Sequence, residues 1–446
     1  MDKASVKNRP IPFEVTNRLV LSVAIPMTLA YLTTPLLGIT DTAVVGRLGD
    51  PALLGGLAAG AIVFDVAFTT FNSLRSSTTG LVAQAYGRKD FEEELGVLVR
   101  SLLVSVAIGL LLILLIPLVI SVGVWFINPE PRVAEAMRQY ISIRMLAAPF
   151  TLTNFSILGY VLGRGEGTLG LLLQFLLNGA NIVLSVFLGL HLGWGLEGVA
   201  WGTVAGELIA AAFGIAILAR RFSGMGTLSF ARIFDTKAIT RMLALNGDIM
   251  VRSFSLLAAF AVFTRQGAQF GTLTLAANAV LLNFFLLSGY FLDGIATAAE
   301  QLAGRAVGAH YLPAFRRSVG LSLLWGGGLA AVLTTILLIF GDAFIRLLTT
   351  APEVRELAIA FLPWAALTAV TGVLAFQMDG VFIGATWSRD MRNMMLLSLA
   401  AFIIWLFTVG GSLGNHGLWA ALHIFLAARG FTLLVMLPRR TRETFG

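Results

Sequence analysis

Long, nearly unbroken apolar runs recur along the chain, and short polar segments separate them. The runs Leu102–Ile127 and Leu321–Phe340 have the length, about 20 residues, that carries an α-helix across about 30 Å of hydrocarbon. A transmembrane β-barrel would instead alternate apolar and polar residues over segments of about 10 residues. Helices and closed barrels are the two structures that satisfy every backbone polar group in lipid. The pattern therefore predicts an all-α polytopic membrane protein.

Apolar length and turn residues divide the chain into twelve predicted spans. Their limits are 16–43, 52–80, 95–126, 137–163, 168–190, 196–219, 241–267, 272–304, 315–345, 354–386, 391–411 and 416–436. The most polar connection, Arg220–Arg241, lies between spans six and seven and indicates a linker. These limits predict an N-terminal lobe at 1–219 with helices 1–6, a cytoplasmic linker at 220–240, a C-terminal lobe at 241–436 with helices 7–12, and a cytoplasmic tail at 437–446.

An internal repeat with an offset of about half the chain supports the division into two lobes. The matching pairs are Ala83–Gly87 with Gly304–Gly308 and Gly159 and Gly163 with Gly380 and Gly384, both at an offset of 221 residues, and Gly195–Gly198 with Gly414–Gly417 at an offset of 219. Small-residue pairs are common in membrane helices, so one match alone would mean little. Three matches in one register predict a duplicated architecture. With an even number of spans in each lobe, the two repeats run parallel in the membrane.

The composition fits a bilayer and narrows the chemistry. Apolar residues make up 57% of the chain and charged residues 12%, with a mean hydropathy of +0.86, and a soluble domain of 446 residues could not hide that much apolar surface from water. The chain has no cysteine, which excludes disulfides, thiol chemistry and cysteine-based metal sites. The formal charge of +7 comes mostly from short loops, where orientation signals belong. We therefore expect no nucleic-acid partner.

The distribution of Lys and Arg among the loops predicts the orientation. The richer set of loops carries Lys3, Lys7, Arg9, Arg88, Lys89, Arg164, Arg220, Arg221, Lys237, Arg316, Arg317, Arg389, Arg392, Arg439, Arg440 and Arg442, against Arg47, Arg132, Arg138, Arg346 and Arg355 in the alternate set. The positive-inside rule then places both termini and the linker in the cytoplasm. The first apolar span is longer than a signal-peptide core, and we expect it to stay in the protein as a membrane helix.

Asp41 is the leading candidate for chemistry, because an ionisable residue within a span costs about 3 kcal/mol on insertion scales and is a functional-site hypothesis by default. It lies late in span one, after Pro26 and Pro35, and the second half has no carboxylate at the matching position near Phe263. Loss of water disfavours the charged carboxylate, so Asp41 could take up and release a proton in the working pH range. The alternative is a solvated Asp41 at the outer interface, or one that pairs with Arg47.

Further polar residues within the predicted spans could line a cation-attracting cavity. They are Asp65, Asn154, Asn278, Asn283, Tyr290, Asp293, Glu300 and Asp379. Asp293 and Glu300 are seven residues apart and share a helix face. They could form a second proton site or, alternatively, be cytoplasmic-end charges paired with Arg305.

Three more charged residues in the spans have structural interpretations. Asp248 and Arg252 are spaced i, i+4 near the start of span seven, which predicts an ion pair with each other. Arg144 in span four could neutralise a carboxylate that the sequence does not identify.

Several catalytic signatures are absent from the sequence. No G-x-x-x-x-G-K-[ST] loop or G-x-S-x-G elbow is present, which argues against an ATP-hydrolysing module and a serine hydrolase. His191, His310, His416 and His423 are scattered and lack metal-ligand spacing. We therefore expect a transporter without a cofactor and not an enzyme.

Several segments have sequences typical of a known family: Pro26 with Thr34–Gly46, Thr78–Gly87, Asn178–Leu184, Phe263–Ala268, Ala276–Val280 and Asp379–Ala385. Through them the chain resembles the multidrug and toxic compound extrusion (MATE) family in its DinF-like branch. The resemblance covers nearly the whole chain. It implies twelve helices in two six-helix lobes with a central V-shaped cavity, in the cytoplasmic (inner) membrane of a bacterium.

The resemblance also implies export of organic cations or amphipathic toxic compounds, driven by inward flow of H⁺ or Na⁺. In the family, Asn residues of span five stand near the carboxylate of span one, and Asn178 and Asn181 match them. Many relatives carry a second Asp where this chain has Ser185. A hard cation wants several oxygen ligands with compensating charge, so this departure favours H⁺ as the coupling ion over Na⁺.

The mechanism expected from the resemblance is alternating access by rocking of the lobes or by bending of span one near Pro26 and Pro35. The protein would act as a monomer on small molecules in the bilayer. The alternative is a flippase for lipid-linked intermediates, as found elsewhere in the superfamily. Such a protein would need a strongly cationic cavity, and the acidic residues in the spans argue against it.

Overall fold

The protein is almost entirely helical in its computed structural model, which describes residues 10–223 and 229–446. Lys3, Lys7 and Arg9 and the middle of the predicted linker, 224–228, lie outside the described residues. The described part contains sixteen α-helices and no strand. In chain order they are α1 (Asn17–Gly46), α2 (Pro51–Phe71), α3 (Ser73–Gly87), α4 (Phe91–Leu114), α5 (Ile116–Ile127), α6 (Pro131–Arg144), α7 (Ala148–Gly163), α8 (Gly167–Val186), α9 (Gly195–Phe222), α10 (Phe230–Ile233), α11 (Thr236–Gln269), α12 (Thr272–Gly308), α13 (Leu312–Leu348), α14 (Pro352–Gly384), α15 (Ser388–Thr408) and α16 (Gly414–Phe445).

Twelve helical segments in the described residues are long and apolar enough to cross a membrane. They occur at the predicted places, which confirms the twelve-span prediction. Most of them run past the apolar limits at one or both ends. The predicted tail at 437–446, for example, is largely the end of α16, where Arg439 and Arg440 bond to Glu443 within the helix. Apolar length therefore fixes where a helix crosses lipid but not where its backbone hydrogen bonding ends.

Three predicted spans are interrupted, which corrects the expectation of single continuous helices. Span two breaks at Asn72 between α2 and α3, and span three breaks at Leu115 between α4 and α5. Span four consists of α6, a 3-10 turn at Met145–Ala147, and α7. Pro117 and Pro149 explain the last two breaks, because proline cannot donate a helical hydrogen bond and is tolerated in the first turn of a new helix.

Contacts divide the chain into two compact units. Unit 1 comprises 1–28, 83–89 and 247–446, and unit 2 comprises 29–82 and 90–246. These units follow contacts and not the sequence repeat, so the lobe boundaries at 1–219 and 241–436 stay a prediction.

Unit 2 contains several apolar clusters among its described residues. One contains Phe64, Phe68 and Met137, and the rings of Phe64 and Phe68 stack with centroids 4.0 Å apart. Glycines bring α9 against α8: a Cβ at Gly202 would lie 2.5 Å from the Ser185 nitrogen, and one at Gly206 would lie 2.9 Å from the Asn181 nitrogen. These close approaches hold Ser185 and Asn181 in fixed positions.

Unit 1 has its own core around α12, α14 and α16. Trp419, Phe402 and Phe425 are fully buried there, and the Trp419 ring meets Phe263 edge to face with centroids 5.2 Å apart. A Cβ at Gly430 would lie 2.7 Å from the Ala375 nitrogen, so α16 also packs closely on α14.

The 221-residue repeat reappears in the glycine contacts within each unit. In unit 2, Gly159 lies against the Arg75 carbonyl and Gly163 against the Thr79 carbonyl. In unit 1, Gly380 lies against the Ala296 carbonyl and Gly384 against the Glu300 carbonyl. Every residue of the second set is 221 positions after its counterpart in the first. The repeat is thus a repeat of helix packing, which is why the sequence retains it as glycine spacing.

The same offset relates a reciprocal contact in unit 1. Gly87 lies against the Arg305 carbonyl, and Gly308 lies against the Gln84 carbonyl. Residue 87 thus contacts residue 305, while its counterpart, residue 308, contacts residue 84, the counterpart of residue 305. Reciprocal contacts of this kind are typical of a local two-fold axis.

We predict that Gly384→Ala lowers the thermal stability of the purified protein. The new Cβ would meet the Glu300 carbonyl and lie 2.9 Å from the Gly304 nitrogen, and overpacking of this kind costs about 1–3 kcal/mol. The measurement is Tm in detergent. Gly320→Ala is the matched control, since no atom lies within 4 Å of its added Cβ; equal Tm values for the two variants would refute the packing argument.

Candidate functional site

Asp41 lies buried near the end of α1, with an exposed fraction of 9%. The Ser185 hydroxyl of α8 lies beside its carboxyl group and acts on it as a hydrogen-bonding group, while Asp41 Oδ1 is buried without a hydrogen-bond partner in the described residues. Ser185 Oγ in turn lies 3.1 Å from Asn181 Oδ1, one helical turn earlier, and Thr203 Oγ1 of α9 lies 3.4 Å from the same oxygen. The carboxyl group therefore ends a polar chain that crosses three helices.

A hydroxyl partner suits both protonation states of Asp41. The Ser185 hydroxyl has one proton and can donate it to an ionised carboxylate, or to Asn181 while it accepts from a protonated carboxyl. The burial of Asp41 also bears on the alternative interpretation, in which this residue is solvated at the outer interface or pairs with Arg47. Asp41 is neither solvated at a surface nor paired with Arg47, since the charge that acts on it is that of Arg144.

Asn178, the other predicted amide, contacts α1 two turns before Asp41. Its Nδ2 donates to Thr33 Oγ1 at 2.6 Å, and Thr33 donates to the Ala30 carbonyl at 2.6 Å. The structure therefore connects Asn181 to Asp41 through Ser185, whereas Asn178 ties α8 to α1 beside Pro35. Both prolines lie within the continuous helix α1.

Arg144 is the positive charge of this region. It interacts electrostatically with Asp41, Asp65 and Glu207, and its guanidinium carbon lies 3.9 Å from the centroid of the Phe64 ring. Within the described residues it forms no direct ion pair, and its Nη1 is buried without a hydrogen-bond partner. Arg144 thus interacts electrostatically with three carboxylates and forms an ion pair with none of them. We call these four residues (Asp41, Asp65, Arg144 and Glu207) the Arg144 cluster.

Glu207 is a member that the sequence analysis missed. It lies on α9 and is buried. Its Oε2 accepts from Asn154 Nδ2 at 2.7 Å, and its backbone carbonyl accepts from the same nitrogen at 3.0 Å. The Thr151 hydroxyl lies beside the carboxylate and donates to the Ala147 carbonyl at 3.2 Å. The signal was present, because Glu207 interrupts the apolar run of span six just as Asp41 interrupts span one.

A second missed group is an ion-pair network around the short loop between α7 and α8. Arg164 Nη1 lies 2.5 Å from Glu94, Arg164 Nε lies 2.9 Å from Glu166, and Arg221 Nη2 lies 2.7 Å from Glu166. Burial acts to lower the pKa of Arg164, but Tyr160, Glu166 and Glu94 outweigh it and hold that pKa above its usual range. These ion pairs connect the ends of four helices, which indicates a structural role for the network.

In unit 1, Asp379 is buried between two guanidinium groups, those of Arg252 and Arg429. This arrangement shows that the predicted Asp248–Arg252 pair is wrong. Asp248 bonds instead to Arg392 at 2.7 Å. Spacing of i, i+4 permits a pair but does not select it, and here the partners from other helices are the ones realised.

The remaining unit 1 candidates are in varied environments. Asn278 bonds to Asn415 at 2.7 Å and to Trp419 at 3.0 Å, which is an interhelical packing role. Asn283 is exposed and donates to carbonyls of its own helix. Asp293 is exposed and interacts electrostatically with Arg429. Tyr290 is half-buried and Glu300 is buried.

The alternative partner considered for Asp293 and Glu300, Arg305, stacks on aromatic rings. Its guanidinium carbon lies 4.1 Å from the centroid of Phe13 and 5.1 Å from that of Tyr86. Of the predicted site residues of unit 2, Asn181 is linked to Asp41 through Ser185, Asn154 bonds to Glu207, and Asp65 interacts electrostatically with Arg144, whereas Asn178 bonds to Thr33. Whether any of them contacts a substrate stays a prediction.

Comparison with protein families gives one match, repeated along the chain. The MatE family profile matches residues 26–187 and again residues 249–408. The two matches cover both halves of the repeat found in the glycine contacts.

Individual relatives agree with this match. The chain is 37% identical to DNA damage-inducible protein F of Escherichia coli (strain K12), over 94% of this chain and 92% of the relative. It is 22% identical to a probable multidrug resistance protein NorM of Chromobacterium violaceum, over 96% of this chain and 94% of the relative.

Solved structures show the same fold. One, described as an outward-facing conformation of a multidrug resistance MATE family transporter of the MOP superfamily, superposes with a TM-score of 0.86 at 18% identity and covers 96% of each chain. A second, a MOP superfamily transporter from Pyrococcus furiosus, superposes with a TM-score of 0.85 at 17% identity and covers 97% of this chain.

We predict that Asp379→Asn destabilises the protein strongly, because the buried guanidinium of Arg429 and the half-buried guanidinium of Arg252 would lose their counter-charge. Removal of one partner from a buried pair costs about 3–5 kcal/mol. Tm in detergent is the measurement. The control is Asp342→Asn, which removes an exposed i, i+4 pair with Arg346 and should leave Tm nearly unchanged; a similar small change in both variants would contradict the structural role of Asp379.

Proposed function

Because this chain belongs to the MatE family of multidrug efflux transporters, we propose that it is a secondary antiporter that exports organic cations or amphipathic toxic compounds in exchange for H⁺. It is a multi-pass membrane protein with twelve candidate spans. The proposal includes a bacterial inner-membrane location with both termini in the cytoplasm, as the loop charges indicate, and action as a monomer.

The observation that carries the proposal is a buried carboxyl group, Asp41, with a hydroxyl partner inside a membrane helix. In a low-dielectric interior, an ionised carboxylate is disfavoured unless a positive charge is near. A bound proton or a bound organic cation can supply that positive charge, and either one is sufficient. Competition between the two is the thermodynamic basis of exchange.

The surroundings of Asp41 favour H⁺ over Na⁺. A hard cation needs several oxygen ligands with compensating negative charge, and the charged group that acts on Asp41 is the guanidinium of Arg144, which repels a metal cation. No group of three or more His, Asp or Glu side chains in the described residues has a metal-binding arrangement. In unit 1, Asp379 already has two cationic partners. These features support a proton as the coupling ion.

Helix α1 is the element through which protonation could change conformation. Pro26 and Pro35 each remove one intrahelical hydrogen bond, and the contact between Asn178 and Thr33 holds α1 to α8 just before Pro35. Loss of the charge on Asp41 would change its interaction with Arg144 and its bond to Ser185. We expect this change to favour a bent α1 and so to bias alternating access.

A flippase for lipid-linked phosphates is the alternative that the same architecture allows. It would need unpaired basic groups for phosphate. Two arginines of unit 1, Arg252 and Arg429, are instead bound to Asp379, and the Arg144 cluster has an excess of carboxylates. The charge distribution supports a cationic substrate.

We predict that Asp41→Asn abolishes proton-driven efflux of ethidium, a fluorescent organic cation. The measurement is efflux from proteoliposomes under an inward pH gradient without Na⁺, for wild type and variant. The neutral amide can still bond to Ser185 but cannot exchange a proton, so we expect insertion and Tm to stay near wild type while transport is lost.

Asp342→Asn, which neutralises an exposed aspartate, is the matched control and should transport normally. Wild-type rates from a well-folded Asp41→Asn variant would remove Asp41 from the mechanism. Dependence on a Na⁺ gradient would refute proton coupling, and accumulation of cell-wall precursors in a deletion strain without any ethidium efflux would favour the flippase.

A further inference from the structure

We propose that Glu207 is a second proton-binding carboxylate, which shares the charge of Arg144 with Asp41, so that two protons are exchanged in each transport cycle. This inference rests on the proposed antiport. It adds a residue and a stoichiometry that neither the antiport nor the family fold requires.

The first support is where Glu207 lies. Its side chain is buried, with an exposed fraction of 7%, in a helix with the length and composition of a membrane span. The groups of α7 beside its carboxylate are uncharged: the Asn154 amide donates to it at 2.7 Å, and the Thr151 hydroxyl lies near it. These groups orient the carboxylate but cannot neutralise it, so its charge has to be balanced by something else.

The second support is the count of charges in the Arg144 cluster. Three carboxylates, those of Asp41, Asp65 and Glu207, interact with the single guanidinium of Arg144. Asp65 is the most exposed of the three and interacts with Arg144, so we take it as the carboxylate that stays ionised opposite this guanidinium, whereas Asp41 and Glu207 are buried. With Arg144 balancing one negative charge, two negative charges remain when all three groups are ionised. Two protons, one on each buried carboxylate, make the cluster neutral.

The third support is that Arg144 is not paired with any one carboxylate in the described residues. It forms no ion pair within the described residues, and its Nη1 is buried without a hydrogen-bond partner. Its guanidinium lies over the Phe64 ring and near the Tyr140 hydroxyl. A guanidinium locked onto Glu207, as Arg429 is onto Asp379, would hold that carboxylate ionised throughout. The uncommitted arginine leaves Glu207 free to take up and release a proton.

Among the described residues, helices α7 and α8, which pack on α9, carry no Asp, Glu, Lys or Arg side chain. Helix α8 has no titratable side chain, and α7 presents Asn154 and Thr151. Arg144, at the end of α6, is the charged group that acts on Glu207. The titration of Glu207 therefore depends on the state of Arg144 and, through it, on Asp41.

The test is the pH dependence of ethidium binding to the purified wild-type protein and to Glu207→Gln. Protons compete with the cation, so the apparent Kd should fall as pH rises, by about tenfold per pH unit for each proton released. We expect a slope approaching two in the wild type and approaching one in Glu207→Gln. The glutamine oxygen can still accept from Asn154, so the fold is retained. Glu197→Gln, at an exposed position of the same helix, is the matched control and should keep the wild-type slope.

Two outcomes separate this inference from the function on which it rests. If the wild type shows proton-driven efflux that depends on Asp41, but its binding slope does not exceed one, the second proton is refuted and the antiport stands. If no pH gradient drives efflux, the antiport itself fails. Should Glu207→Gln not fold, the wild-type slope decides alone, because a slope that does not exceed one overturns the second proton. An equal slope in wild type and a folded Glu207→Gln overturns the proposal.

Discussion

Charge balance in a low-dielectric interior is the constraint from which the functional architecture follows. A buried carboxylate needs a cation, a proton or water, and the two units meet this need differently. In unit 1, Asp379 is held by Arg252 and Arg429, and no mobile ion is needed. In unit 2, one arginine serves three carboxylates. The first arrangement stabilises a structure, whereas the second leaves a charge that a transported ion could complete.

The glycine contacts are what make the open arrangement possible. Gly202 and Gly206 let α9 approach the backbone of α8 at Ser185 and Asn181, which brings Thr203 into the polar chain that ends at Asp41. Side chains on a loosely packed helix would reorient or admit water. Close backbone contact instead fixes the residues around Asp41. Arg144 forms no ion pair in the described residues, so it is the charged side chain that can change partners within this rigid environment.

Much of this could be predicted from the sequence, and the rest depends on contacts between distant segments. Apolar length and glycine register predicted twelve spans and the repeat, because both signals are local or periodic. Asp41 was singled out as a candidate because it is a lone acid in an apolar run, and the same rule applied to span six would have added Glu207 to the candidates; the roles of both stay predictions. The partners of Arg144 and Arg252 could not be found this way. Side chains from several helices can pair with each charged residue, but sequence spacing identifies only the candidate partners on the same helix. For this reason the sequence analysis paired Asp248 with Arg252 and not with Arg392.

The repeated glycine contacts have an evolutionary consequence. After a gene duplicates and fuses with its copy, both copies begin with the same packing and the same charges. Here Gly159 and Gly163 still correspond to Gly380 and Gly384, each against the equivalent carbonyl, while Asp41 and Glu207 have no acidic counterparts at that offset. Selection has evidently kept the geometry of both copies and allowed their electrostatics to diverge. A duplicated scaffold can thus specialise one copy for ion chemistry without remaking the fold.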